Sequence, residues 1–200
     1  MHFLTLAEAL PIFFTAKDIR RILKIQLNSA RVLATRYTQK GIFLRIKRDL
    51  YIFQKKFLHL TRDEIYELNQ ALQAKSYISF STALAHHHTL APSVAKNPWV
   101  EAVSPLRSWE KTVGHLTWHY YKLPYKFFFG FVEHGNALLA TPEKALLDAL
   151  YLHSLGRYYL DLKKLNLERL DQEKLFNWAR FYTPKTQVFL ERLYSRSRGK

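Results

Sequence analysis

Cysteine is absent from the 200 residues of this chain. Without a thiol there is no disulfide framework, no cysteine-ligated zinc finger or iron–sulfur cluster, and no thiol nucleophile. The absence fits a reducing, cytoplasmic setting. Glycine is scarce at 6 residues, and the sequence contains no glycine-rich phosphate loop and no nucleophile elbow. Long apolar runs are missing too, since none reaches the roughly 18–20 residues needed to cross a bilayer. The opening stretch "MHFLTLAEALPIFF" holds Glu8 and Pro11 and has no basic residue before its apolar part, unlike a secretory signal. The reading is a soluble, cytoplasmic protein with no membrane partner.

Acidic residues are also few, 16 against 31 Lys and Arg, and the surplus is unevenly placed. Residues 1–60 hold 12 basic and 3 acidic side chains, a net of +9, whereas residues 61–160 hold 9 against 8 and residues 161–200 hold 10 against 5. A basic end beside a nearly neutral middle suggests a polyanion-binding module joined to something else, with double-stranded DNA the first candidate. Hydrophobic residues make up 48% and aromatics 15%, so a packed core is expected rather than a disordered chain.

The first sixty residues read as three short helices and a hairpin. Thr5 with Glu8 has the spacing of a capping box opening a helix that Pro11 stops, and Thr15 with Asp18 opens a second. Asn28 or Ser29 is placed to cap a third, "ARVLATRYTQK", which Gly41 ends. On that helix Ala30, Leu33, Ala34 and Tyr37 form an apolar stripe, with Arg31, Thr35 and Thr38 outward and Arg36 on the flank. "GIFLRIKRDLYIF" follows as a hairpin, with Ile42, Leu44 and Ile46 expected on one face and Arg45 and Lys47 on the other. Helix, short turn, helix and basic hairpin is the order of a winged helix-turn-helix, whose second helix fits a major groove about 12 Å wide. The DNA-binding side chains expected from this arrangement are Ser29, Arg31, Thr35, Arg36, Arg45, Lys47 and Arg48.

Charge falls off near residue 60, where the domain boundary is placed, giving domains 1–60 and 61–200. Thr61 and Glu64 open another helix. "SYISFSTALAHHH" reads as a short extended piece leading into a helix capped by Ser79, and Pro92, Asn97 and Pro98 as loop. From Trp99 to Leu139, "WVEAVS", "HLTWHYYKL", "KFFFGFVEH" and "ALLA" read as strands of a small, mainly antiparallel sheet. Thr141 and Pro142 open the helix "PEKALLDALYLHS", ended by Gly156, and Asp171 and Pro184 open two more before the basic tail "SRSRGK". The fold class is therefore α+β: an N-terminal winged helix, then a mixed α/β domain with C-terminal helices.

Nothing supports catalysis, a cofactor or a metal site. Adjacent histidines such as His86, His87 and His88 diverge by about 100° on a helix, and no nearby carboxylate completes a set. Glu143 and Asp148, five apart, point about 140° away from each other on a helix. Glu143 suits the helix dipole, and Asp148 a structural hydrogen-bonding or ion-pairing role.

Three phrases together resemble the AbiEi-type antitoxin and transcriptional-regulator family of bacterial abortive-infection, type IV toxin–antitoxin systems. Lys40 to Tyr51 matches a wing phrase, Ser76 to Leu84 matches "SYIS-x-x-SAL", and Ala140 to Asp148 matches "A-x-PEKALLD". Two positions depart from the family pattern: Asp49 stands where glycine is usual at the wing tip, and His87-His88 where a histidine–glycine pair is common. The resemblance implies a winged helix on inverted repeats of its own operator. It also implies a second domain that counters a nucleotidyltransferase-like toxin, without catalysis. A stand-alone regulator whose second domain senses a ligand or protein partner is the alternative. A nucleic-acid enzyme is disfavoured by the missing site.

Overall fold

Residues 2–90 and 98–198 are described by the computed structural model, and among them the chain is a mixed α+β protein with nine α-helices and two sheets. Pro92 and Asn97 of the expected loop, and Gly199 and Lys200 of the tail, lie outside the described residues. Two compact units divide at Met1–Leu68 and Asn69–Lys200. The first unit extends past residue 60 because Lys56 pairs with Glu64 at 2.7 Å, tying the start of the next helix to the hairpin side of the unit.

The first unit contains α1 (His2–Ala9), α2 (Ala16–Leu23), α3 (Leu27–Gln39), β1 (Phe43–Lys47), β2 (Leu50–Phe53), α4 (Gln54–Phe57) and the start of α5 (Arg62–Leu72). Thr15 and Asp18 form a reciprocal capping box at α2, as do Thr61 and Glu64 at α5, where the Thr61 amide donates to Glu64 at 2.8 Å. Two expected caps are not used in this unit, and in the second unit Ser79 precedes its helix without a side-chain capping bond. Thr5 lies inside α1, which begins at His2, and α3 begins one residue ahead of Asn28 with Gln26 as its uncapped N-terminal residue. Gly41 ends α3 in the left-handed region at φ 68°.

Leu6, Phe14, Ile19, Ala30, Ala34, Phe43 and Tyr51 form the buried core of this unit. The hairpin meets it differently from the expected alternation. Its register shifts between Arg45 and Lys47, so Phe43 and Ile46, three apart, are the buried residues and Leu44 is only half-buried. A bulge inserts one extra residue and moves the next side chain to the other face. Phe14 then adds an isolated antiparallel bridge to Tyr51, with amide–carbonyl bonds of 3.0 and 2.8 Å. The two-residue turn Arg48-Asp49 places Asp49 at φ 54°, and its Oδ1 accepts from the Ala16 amide at 3.1 Å.

The second unit is built on a six-stranded sheet in the order β5-β6-β4-β3-β8-β7. Its strands are β3 (Tyr77–Ile78), β4 (Trp99–Ser104), β5 (Trp109–Val113), β6 (Leu116–Lys122), β7 (Phe131–His134) and β8 (Ala137–Ala140). The expected small, mainly antiparallel sheet is larger and more mixed. Three pairings are antiparallel, and β4–β6 and β3–β8 are parallel. Strand β5 is not expected from the sequence, and "KFFFG" lies outside the strands, with Lys126 and Phe127 in a 3-10 turn. Helices α6 (Phe80–His86), α7 (Pro142–Ser154), α8 (Gln172–Ala179) and α9 (Pro184–Arg198) complete the unit. Helix α7 is buried nearly all round, its charged residues Glu143, Lys144 and Asp148 included.

Replacing Asp49 tests the turn. Asp49→Ala loses both the tolerated left-handed backbone and the Ala16 acceptor, and is expected to cost about 1–2 kcal/mol in urea denaturation. Asp49→Gly restores the backbone freedom and is expected to cost less than Asp49→Ala; equal losses would place the whole effect in the hydrogen bond.

Candidate nucleic-acid interface

Helix α3 has one face in the core and one in solvent. Ala30 and Ala34 are fully buried, with Leu27, Leu33 and Tyr37 packed beside them. The opposite face exposes Asn28, Ser29, Arg31, Val32, Thr35, Arg36 and Gln39. At about 100° per residue, Val32, Gln39, Asn28 and Arg36 lie nearest the outward direction, and Arg31 lies on the flank. Thr38, expected outward, is half-buried, and its hydroxyl donates to the Ala34 carbonyl at 2.9 Å. Thr35 is exposed, with its hydroxyl turned back onto the Arg31 carbonyl at 3.0 Å.

All seven expected contact residues are exposed: Ser29, Arg31, Thr35 and Arg36 on α3, and Arg45, Lys47 and Arg48 on the hairpin. Arg45 Nε donates to the Lys47 carbonyl at 3.4 Å, drawing those two positions together at the bulge. Among the described residues no ion pair occupies the five cations of this set.

Two acidic residues of this unit, Asp18 and Asp49, are engaged elsewhere. Asp18 is held in the α2 capping box and pairs with Arg21 at 3.3 Å. Asp49, whose negative charge at the hairpin tip would oppose a polyanion, turns its carboxylate to the Ala16 amide at the start of α2. A helix N-terminus favours an anion there. Two of the three carboxylates in residues 1–60 are thus directed at one helix end and away from the α3–hairpin cations.

The second unit buries four of its charged side chains, Glu101, Glu143, Lys144 and Asp148. Lys144 and Asp148, one turn apart on α7, form a fully buried ion pair. Asp148 also accepts from the hydroxyls of Tyr77 at 2.9 Å, Ser79 at 2.8 Å and Tyr182 at 2.8 Å. Lys144 Nζ donates to the Tyr182 hydroxyl at 2.7 Å and lies 5.1–5.4 Å from the ring centroids of Tyr77, Phe129 and Tyr182. Burial pushes the Lys144 ammonium below its ordinary value, opposed by Asp148, and pushes the Tyr77 and Tyr182 phenols well up. This arrangement gives Asp148 the ion-pairing role read from its apolar neighbours. Its partners, 71 and 34 residues away for the tyrosines, were beyond the reach of local pattern.

A second buried carboxylate stands at the β3–α6 elbow. Glu101 accepts from the Ser81 amide and the Tyr158 hydroxyl, each at 2.9 Å, and from the Ser81 hydroxyl. Burial raises its pKa against the lowering effect of those donors. Glu143, at the start of α7, accepts from the Asp171 amide at 3.2 Å and pairs with Lys174 at 2.8 Å. Burial works to raise its pKa, but Lys174 and the amide outweigh it and hold it below the ordinary value. Among the described residues no group of three or more His, Asp or Glu side chains is placed to hold a metal ion, and no helix is long and apolar enough to cross a membrane.

No protein-family model matches this chain, and no curated protein does. Among solved structures, the crystal structure of the RV2827C protein from Mycobacterium tuberculosis is similar, with a TM-score of 0.58 and 11% identity over 90% of this chain and 70% of that one. At that identity the likeness is one of fold.

Two outcomes test the interior of the second unit. Asp148→Asn leaves a buried ammonium without its counter-charge and is expected to cost about 3–5 kcal/mol in urea denaturation. The double variant Lys144→Met with Asp148→Asn is expected to return part of that loss, and strictly additive losses would dismiss the ion pair as the source. Because the folded pKa of Glu143 is depressed, its stabilisation is present above the unfolded value and lost as pH falls through the folded one. The stability gap between the parent chain and Glu143→Gln should therefore be full at neutral pH and close on acidification below 4.5; a gap independent of pH would contradict the assignment.

Proposed function

We propose that the N-terminal unit is a winged helix-turn-helix that binds double-stranded DNA, with α3 in the major groove and the β1–β2 hairpin as the wing on the phosphate backbone. The observation that carries this reading is the unpaired cationic surface of α3 and the hairpin, exposed while the nearby carboxylates serve the α2 N-terminus. Arg45, Lys47 and Arg48 are the phosphate contacts, and Arg31 on the flank of α3 joins them. Arg36 faces base edges, where a guanidinium matches the two acceptors of guanine.

The chain as a whole is proposed to be an AbiEi-type antitoxin and autoregulator, acting on operator inverted repeats and countering a nucleotidyltransferase-like toxin. Two further observations favour this. Both positions where that family places glycine have left-handed backbone here, Asp49 at φ 54° and His88 at φ 56°. Glycine is the residue that adopts this region without steric cost, so the backbone fits the family pattern even though the side chains differ. In addition, the phrases "SYIS" and "PEKALLD" meet in one network through Tyr77, Ser79, Lys144 and Asp148. They read as one structural signature of the second domain, which acts without catalysis.

The DNA reading predicts a steep salt response in fluorescence anisotropy with the full chain. If about six phosphates are neutralised, affinity should fall on the order of 1000-fold between 50 and 200 mM salt. Lys47→Ala should weaken all duplexes about equally and flatten the salt slope by about one, whereas Arg36→Ala should relax sequence preference at a cost of about 1–3 kcal/mol. A flat salt response would sink the proposal. The antitoxin reading predicts that co-expression with a nucleotidyltransferase-like toxin encoded beside this gene restores growth; its failure with DNA binding intact would leave only the regulator.

A further inference from the structure

We infer that Val32 on α3 reads the 5-methyl group of a thymine in the bound duplex, an inference that rests on the DNA-binding reading. Val32 is 58% exposed and stands about 200° round the helix from buried Ala30, at the centre of the solvent face. A β-branched residue that is 58% exposed gains little packing within the chain and is a weaker helix former than the straight-chain residues. Its neighbours one turn away, Asn28, Thr35 and Arg36, are exposed and carry polar groups.

Thr35 adds the second observation. Its hydroxyl proton is committed to the Arg31 carbonyl at 3.0 Å, so toward a ligand the side chain offers its methyl group and only an acceptor oxygen. Val32 and Thr35, three apart, therefore form a small apolar spot inside a polar and basic face. In the major groove the thymine methyl is the one apolar feature of the base edges, and short aliphatic groups are what it matches. Asn28, four residues before Val32 on the same line, carries the amide that pairs with an adenine edge, so the face suits an A·T-containing step.

The test uses the full chain and a randomised duplex pool. Duplexes enriched by selection are resynthesised with each thymine replaced in turn by deoxyuridine, which removes only the methyl. One such replacement is expected to weaken binding about fourfold, the worth of one buried methyl. Val32→Ser is expected to bind that thymine duplex and its uracil counterpart equally while keeping the salt slope of the parent chain. Salt-sensitive, sequence-selective binding with every uracil replacement neutral, or enriched duplexes lacking a common thymine, overturns the methyl contact and leaves DNA binding standing. A uracil penalty that persists in Val32→Ser removes Val32 as the reader. Absence of salt-sensitive duplex binding overturns both readings together.

Discussion

The bond from the Ala16 amide to the Asp49 carboxylate fixes two things in the N-terminal unit. It pins the hairpin turn to the start of α2, and it aims the Asp49 carboxylate at that helix end. Asp18 serves the same helix end, so two carboxylates meet the positive end of the α2 dipole. Like charges on the α3–hairpin surface repel, although ionic screening over roughly 8 Å keeps the cost modest. An external polyanion would relieve the repulsion and release counterions at the same time, which is the physical basis of the DNA-binding proposal.

The second unit handles charge in the opposite way. Its ionisable groups at Lys144, Asp148, Glu101 and Glu143 are buried and satisfied by partners brought from distant parts of the chain. Phe80 sits at the β3–α6 elbow with φ 54°, a strained conformation for a bulky residue. The serines on either side of it bind two different buried carboxylates, Ser79 to Asp148 and Ser81 to Glu101. Such strain persists only where the surroundings over-determine it. A buried ion pair adds little net stability over a well-packed apolar substitute, so its value here lies in holding one arrangement of elbow, α7 and the Tyr182 segment.

Features set by neighbours three or four residues apart were legible in the sequence. The Thr15–Asp18 and Thr61–Glu64 boxes, the Thr141-Pro142 start and the Gly41 stop all stand where their spacing placed them. The same kind of spacing misplaced two caps, Thr5, which lies inside α1, and Asn28, which follows the start of α3. The rest of what escaped depends on contacts far along the chain. The bulge at Arg45–Lys47 breaks the alternation, so Phe43 and Ile46 rather than Leu44 and Ile46 are buried, and Phe43 packs on Phe14 and on Tyr37 of α3. Strand β5, "WEKTV", is an edge strand of mixed polarity, and its identity comes from pairing with β6. The parallel pairings of β4 with β6 and β3 with β8 join segments with no local signal of direction. The role of Asp49 rests on a partner 33 residues away.

The geometry between α3 and the hairpin is set before any ligand arrives. Phe14 and Tyr51 exchange two backbone hydrogen bonds, the Gln54 amide donates to the Ile42 carbonyl at 2.9 Å, and Phe43 packs edge-on to Tyr37 of α3 at 5.1 Å between centroids. A hairpin held at its base, its middle and its tip has little backbone entropy left to lose on binding. On the proposed DNA-binding reading, adaptation to a particular duplex would come from the exposed side chains, chiefly the long arginines and lysine. The duplex would then have to present a groove and phosphate spacing that fit a fixed helix and hairpin. Selectivity in such a unit arises from what the rigid frame rejects as much as from what its side chains bind.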